Sequence, residues 1–367
     1  MFATLVGPYP RPSQDQGSNR AGEGPVLAAQ DLLRDVIAAQ IDAGLGLLSD
    51  GQFGWDTAAF VLARGLDGLE VSATGSTGET IRAERPVNWF QPILAADWRA
   101  ADSIARELAA ERDIDPLPLK ACLPGPYTLA RAVDPGDIGR ERLTVSLAEA
   151  LGQEVRALVE AGAPVVQVDE PGLTAIGRDD DAERALATAA LTLLTDAVAD
   201  LDGHLCLAVT GGSAEHAGAD LFFDRPFKSY LFDLIMGPED WRLIARAPQE
   251  RGIVCGVADA RSDAPDDEPV MVWGARYAAS LNARGPERVG LCPSAGLERL
   301  PREVARTKME ALARAASKAG LSSGKLASQI DPRAVDARSA ALGRYEPRAD
   351  VGTEAEPHGP RRGGRHG

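Results

Sequence analysis

Eight short apolar runs punctuate the chain: Ala3–Val6, Leu45–Leu48, Leu117–Cys122, Pro164–Val168, His204–Val209, Ser229–Phe232, Ile253–Val257 and Val289–Cys292. Their length and their leucine- and valine-rich composition are those of strands buried on both faces. Between most of them the period lengthens to that of a helix. Over residues 140–161, Leu143, Leu147, Leu151, Val155 and Leu158 recur every three or four positions, which lays one apolar stripe along a helix. Strands alternating with crossover helices predict an α/β fold with a parallel sheet. Eight such strands match a (β/α)8 TIM barrel better than an open sheet.

Two regions depart from this alternation. Residues 57–115, after the second strand, are too long for one crossover helix. They contain Val71–Ile81, where polar and glycine-rich positions between apolar flanks predict a hairpin, with Trp89 and Phe90 beyond it. An excursion of that length above a barrel is expected to cover a site. The end of the chain is rich in Pro, Gly and charge and lacks the apolar content of a core. The expected organisation is a single barrel over 1–320 with the insertion at about 57–115, a terminal helix or extension over 321–343, and a disordered tail over 344–367.

The most informative junction is Val165–Gly172, where an apolar run breaks into Asp169, Glu170 and then Pro171. Proline cannot donate to a sheet ladder and disfavours helix at the preceding residue, so the strand is expected to stop there. In a barrel of this kind active sites are built where strands stop. Successive strand residues face opposite ways, so only one of the two carboxylates is expected to enter the mouth. Other strand ends add candidates. Ser49–Asp56 carries Gln52 between glycines, and Leu123–Thr128 makes a Pro-Gly turn that places Thr128 at a helix start. Asp233 closes the sixth run, Asp259 and Arg261 follow the seventh, and Cys292 closes the eighth.

Composition narrows the classes. The chain has 367 residues, a net charge of −15 and no basic stripe in its body, which argues against a nucleic-acid surface. No apolar run approaches the length of a membrane span, and Met1–Val6 reads as a first strand and not a signal peptide, so a soluble cytoplasmic protein is expected. The cysteines Cys122, Cys206, Cys255 and Cys292 are widely spaced, so disulfides are not expected. His204-Leu205-Cys206 offers the nitrogen and sulfur donors that zinc prefers. Strand polarity opposes that reading. His204 begins its run, roughly 20 Å from the mouth at about 3.3 Å per residue.

These motifs together resemble the cobalamin-independent methionine synthase family. The resemblance rests on Val6–Pro10, Asp50-Gly51-Gln52, Gly125–Thr128, Gln167–Pro171, Gly256–Asp259, and Ala295-Gly296-Leu297 followed by Pro301. It implies a (β/α)8 barrel that moves a methyl group from a reduced folate to the thiol of homocysteine, with zinc holding the sulfur as thiolate. It further implies that Asp169 binds the acceptor's amino group, with Gly7, Gln52 and Thr128 as further substrate contacts and Asp259 in the catalytic set.

The chain also departs from the pattern. Gly7-Pro8 stands where Gly-Ser is usual, Gln52 where an acid follows Asp-Gly, and Ala295 where a zinc cysteine precedes Gly-Leu. Asp233 takes the place of a glutamate ligand, and Cys292 lies three residues before Ala295, which makes these two the weak metal candidates. The His-x-Cys pair falls on His204 and Cys206 by motif, or on Thr210 and Gly212 by spacing to Asp233. The leading expectation is a transferase carrying a methyl or other alkyl group from a folate-type donor to a thiol acceptor such as homocysteine, with zinc as the cofactor that the resemblance implies. Losing the acid at Gln52 points to an acceptor without the amino-acid head. The alternative is a non-catalytic barrel that binds folate or partners a catalytic subunit. An unrelated lyase or decarboxylase on the same fold is a third. The oligomeric state is left open.

Overall fold

The computed structural model describes residues 1–11, 25–52, 58–74, 78–322 and 325–326. Residues 53–57 of the loop that follows Gln52, residues 75–77 of the expected hairpin turn, and the proposed tail lie outside the described residues. Among the described residues ten strands form in this order: β1 (Phe2–Ala3), β2 (Leu48–Ser49), β3 (Asp67–Thr74), β4 (Gly78–Asn88), β5 (Leu119–Pro124), β6 (Val166–Asp169), β7 (Leu205–Val209), β8 (Ser229–Asp233), β9 (Gly252–Ala258) and β10 (Val289–Pro293). Ten helices accompany them: α1 (Pro25–Asp42), α2 (Ala58–Gly65), α3 (Ala95–Glu111), α4 (Pro126–Ala132), α5 (Arg140–Ala161), α6 (Asp181–Asp196), α7 (Ala219–Phe223), α8 (Trp241–Arg246), α9 (Glu268–Ser280) and α10 (Arg302–Ala319).

Eight strands make one parallel sheet in the order β1-β10-β9-β8-β7-β6-β5-β2. A parallel bridge between Thr4 and Leu47 joins its two edges and closes the ring as a TIM barrel. Each of the eight apolar runs supplies one strand, its ends shifted by up to three residues. The run Leu117–Cys122 is carried on to Pro124, which pairs with Asp169. A proline is tolerated there because the strand ends with it.

The barrel wall separates two apolar regions. Outside, leucines, valines and alanines of the strands pack against the helices. Inside lies a smaller cluster of Val6, Cys206, Ala208, Leu231, Val254 and Cys292. The inside cluster defines which strand residues point inward, and therefore which side chains can reach a mouth. Among the described residues no helix is long and apolar enough to cross a membrane.

Between β2 and β5 stand α2, the antiparallel β3–β4 hairpin and α3. The hairpin is fastened to the barrel's outer layer at several points. Ala83 N–H donates to Asp134 C=O (2.8 Å) and Asp134 N–H to Ile81 C=O (2.9 Å). Glu154, fully buried on α5, accepts from the Trp89 indole N–H (2.7 Å), Ile93 N–H (2.9 Å) and Leu94 N–H (2.7 Å). One carboxylate thus answers three donors that would otherwise be left without partners. Glu154→Ala is expected to lower stability by about 2–3 kcal/mol, the cost of stranding those donors, whereas Glu154→Gln keeps the shape and costs less. Urea denaturation of the two variants checks this. Equal midpoints for Ala and wild type would show that the insertion is not held here.

Candidate active site at the carboxyl ends of the strands

The end of β6 is built by alternation. Gln167 and Asp169 face the barrel interior, and Glu170 turns the other way, fully buried. The Glu170 carboxylate sits on the first turn of α4. It accepts from Tyr127 N–H (3.0 Å), Thr128 N–H (2.7 Å) and the Thr128 hydroxyl (2.5 Å). Negative charge is stabilised at that position because the first backbone N–H groups of a helix have no partner within it. The contact requires glycine at 125, since a Cβ there would lie 2.2 Å from the Glu170 carboxyl. The Thr128 oxygen also accepts from Gly172 N–H (2.9 Å), which pins the loop beyond Pro171. Thr128, expected as a substrate contact, thus spends its hydroxyl on the clamp. Burial raises the Glu170 pKa to about 7 against these hydrogen bonds.

Asp169 is held from below. Lys120, buried on β5, donates to Leu5 C=O (2.6 Å) and to Gln167 Oε1 (2.6 Å). An ammonium has donors only, so it fixes which way the Gln167 amide faces. The Gln167 NH2 then donates to Val6 C=O (2.6 Å) and Asp169 Oδ1 (2.6 Å). Asp169 remains partly accessible. Burial raises its pKa to about 7, with the Gln167 hydrogen bond and the Lys120 charge pulling it back down. A carboxylate at this position changes charge near neutral pH.

Two strands round the ring from β6, Asp233 ends β8. Asp169 pairs with Ala208 and Ala208 with Leu231, both of them inside the barrel. Asp233 lies two residues past Leu231 on the same face, about 7 Å further along the strand direction. Its Oδ1 accepts from Ile235 N–H (3.1 Å) and Met236 N–H (2.9 Å). Its Oδ2 accepts from Gly211 N–H (3.1 Å) and from Arg261 Nη2 (3.1 Å). Arg261 Nη1 donates to the buried Ser294 hydroxyl (3.2 Å) at the end of β10. Gly256 of β9 lies between them, where a Cβ would come within 3.2 Å of the Cα of both Asp233 and Ser294. Asp259 accepts Arg261 N–H (2.9 Å) and so shapes the loop that carries the arginine. On the β1–β2 side Gln52 is buried with φ +48° and donates its N–H to Asp50 (2.9 Å). Its amide rests on Gly7, where a Cβ would lie 3.3 Å from Oε1.

His204 and Cys206 lie at the other end. They line a cavity of about 560 Å3 at the amino ends of the strands, with Phe2, Glu250 and Arg288. The His204 Nε2 pairs with the Ser229 hydroxyl (2.8 Å), and burial lowers its pKa. At the carboxyl end β7 continues into Thr210, Gly211 and Gly212, and Gly211 meets Asp233. The register that spacing favours therefore occupies the rim, and it offers no metal donor side chain beyond a hydroxyl. Cys292 is buried in the interior cluster, and burial pushes its thiol well above the usual range. Asp233 is already engaged by three N–H groups and a guanidinium. Asp233, Cys292, His204 and Cys206 do not come together as a donor set: among the described residues no three His, Cys, Asp or Glu are grouped to hold a metal ion. The described residues do not fit zinc.

The cobalamin-independent synthase catalytic-domain profile matches residues 3–214, more than half of the chain. The chain belongs to that family. Its curated relatives include the methionine synthase of Methanothermobacter marburgensis, 26% identical over 326 residues, covering 86% of this chain and 99% of that protein. The methionine synthase of Saccharolobus solfataricus is 24% identical over 320 residues, covering 83% of this chain and 91% of that protein. Among solved structures, a B12-independent methionine synthase from Shewanella sp. W3-18-1, in complex with selenomethionine, superposes with a TM-score of 0.69 at 18% identity. It covers 86% of this chain and 96% of that one, a likeness of fold.

Lys120 and Ser294 escaped sequence reasoning. A lysine inside the otherwise apolar run Leu117–Cys122 was the available signal for the first; nothing local marks the second. Lys120→Met removes a positive charge and frees the Gln167 amide, so the Asp169 pKa is expected to rise above 7. Infrared titration of the carboxylate band, with Asp169→Asn used to assign it, reads the midpoint. An unchanged midpoint would show that the lysine does not act on Asp169.

Proposed function

We propose that this protein is a methyltransferase of the homocysteine methyltransferase type, moving a methyl group from a reduced-folate donor onto the sulfur of a thiol acceptor. Family membership and relatives named methionine synthase along most of their length support the catalytic reading over a passive barrel. The observation that carries it is Asp169: a partly accessible carboxylate at the strand ends, preset by Gln167 and Lys120.

Against the expectation drawn from Gln52, the acceptor keeps its amino-acid head: Asp169 receives its ammonium group, and the Gln52 amide beside Gly7 offers a neutral hydrogen-bonding neighbour in place of a second charge. Glu170, Thr128 and Asp259 act as positioning residues: the first two fix the end of β6, the third the loop that bears Arg261. In the reaction the thiol loses its proton, the sulfur forms a bond to the methyl carbon, and the carbon–nitrogen bond of the donor breaks. Its electron pair stays on the donor nitrogen, which takes up a proton. In enzymes that carry zinc the ion keeps the acceptor sulfur ionised. Here acceptor activation falls to the protein's own groups.

Because the Asp169 pKa is raised to about 7, the carboxylate is largely protonated below that pH and charged above it. Affinity for an amine-bearing acceptor is therefore expected to climb as pH rises through 7. Asp169→Asn is expected to flatten that rise and to lower kcat/KM for homocysteine about 100-fold, mainly through KM, since a charge-assisted hydrogen bond is lost. Steady-state kinetics across pH with homocysteine and a methylated folate check both. An unaltered pH profile in the variant would remove Asp169 from the acceptor site, and no turnover of wild type with any thiol would sink the transferase reading.

A further inference from the structure

The interior of this barrel is hostile to thiolates. Cys122 faces it, and burial pushes its thiol well above the usual range. A substrate thiol that enters the same interior meets the same penalty unless a positive charge compensates it. Lys120 is committed beneath Asp169, facing Gln167 and Leu5. Arg261 is placed differently. Its guanidinium reaches the inward face of Asp233 at the mouth, and its side chain is 38% exposed while Asp233 is completely buried.

The guanidinium is also preset. Two of its N–H groups are spent on Asp233 and Ser294, and a guanidinium carries five. The loop beneath it is tied on both sides. Ala260 N–H donates to Ser294 (3.1 Å), and Asp259 N–H donates to Asp266 (2.7 Å). Asp266 in turn is held by the buried Lys308 of α10 (2.9 Å). The negative charge of Asp233 is shared among three backbone N–H groups as well as the arginine. The result is a fixed, partly exposed cation at the carboxyl ends of the strands, with N–H groups beyond those that Asp233 and Ser294 take.

We propose that Arg261, oriented by Asp233 and Ser294, receives the acceptor's sulfur as thiolate, so that a fixed guanidinium does here what a bound metal cation does elsewhere. This rests on the thiol-acceptor reading above. The thiol proton leaves to solvent, and the sulfur accepts hydrogen bonds from the unspent guanidinium N–H groups.

The test is an ultraviolet difference titration of homocysteine bound to the full-length, chelator-treated protein, reading thiolate absorbance against pH. The wild type is expected to hold the sulfur ionised at least about one pH unit below the free thiol. Arg261→Met is expected to abolish that shift, Arg261→Lys to keep part of it, and Ser294→Ala, which leaves the charge, to weaken it. Added zinc is expected to change none of these curves. The same inflection in wild type and Arg261→Met, or a thiolate signal that arises only with zinc, would overturn the proposal. So would an equal loss of affinity for 2-aminobutyrate, which lacks the sulfur, because the arginine would then hold the carboxylate. Failure of wild type to bind homocysteine at all would fell the reading of an amine-bearing thiol acceptor and this proposal together; binding that ignores Arg261 would fell this proposal alone.

Discussion

Glu170 buried against the first turn of α4 is the contact on which the rest of the site depends. A carboxylate with no exposure is costly unless its oxygens are answered, and here Tyr127, Thr128 and the Thr128 hydroxyl answer them. Because the contact is so confined that Gly125 cannot carry a Cβ, the end of β6 has one position and one rotation. Strand alternation then leaves Asp169 no choice but the interior. Lys120 and Gln167 complete the work from below by deciding which amide group Asp169 meets.

Two carboxylates adjacent in sequence thus have unlike duties. Both are raised to about 7 by burial, so the shift alone does not separate them. Geometry does: the oxygens of Glu170 are enclosed by α4, while Asp169 retains surface toward the mouth. The same distinction applies to the cations. Lys308 and Lys120 are buried and spent within the fold, whereas Arg261 is held at one edge and open at the other. Preorganisation of this kind places charge where a reacting group arrives without reorganisation at that moment.

Much of the architecture was legible because burial on both faces writes a strand as a continuous apolar run, and a barrel needs eight of them. β2 shows the limit: Leu45–Leu48 is apolar throughout, yet only Leu48 and Ser49 join the ladder to β5. At the site, period-two alternation already divides Asp169 from Glu170, but which of them enters depends on α4. Strand direction likewise places His204 and Cys206 far from the mouth even though they match a zinc motif by spacing. What local sequence does not carry is the meeting of Asp233, Arg261 and Ser294, which come from the ends of β8, β9 and β10 and touch only once those neighbours pair.

The central claim is that Asp169 and Arg261 face one interior and divide the acceptor between them. A crystal structure with methionine or homocysteine bound tests it most directly. The account predicts the ligand at the carboxyl ends of the strands, with its amino group on Asp169 and its sulfur toward the Arg261 guanidinium. A ligand seated instead in the cavity beside His204, or at the mouth with its sulfur turned away from Arg261, would contradict it.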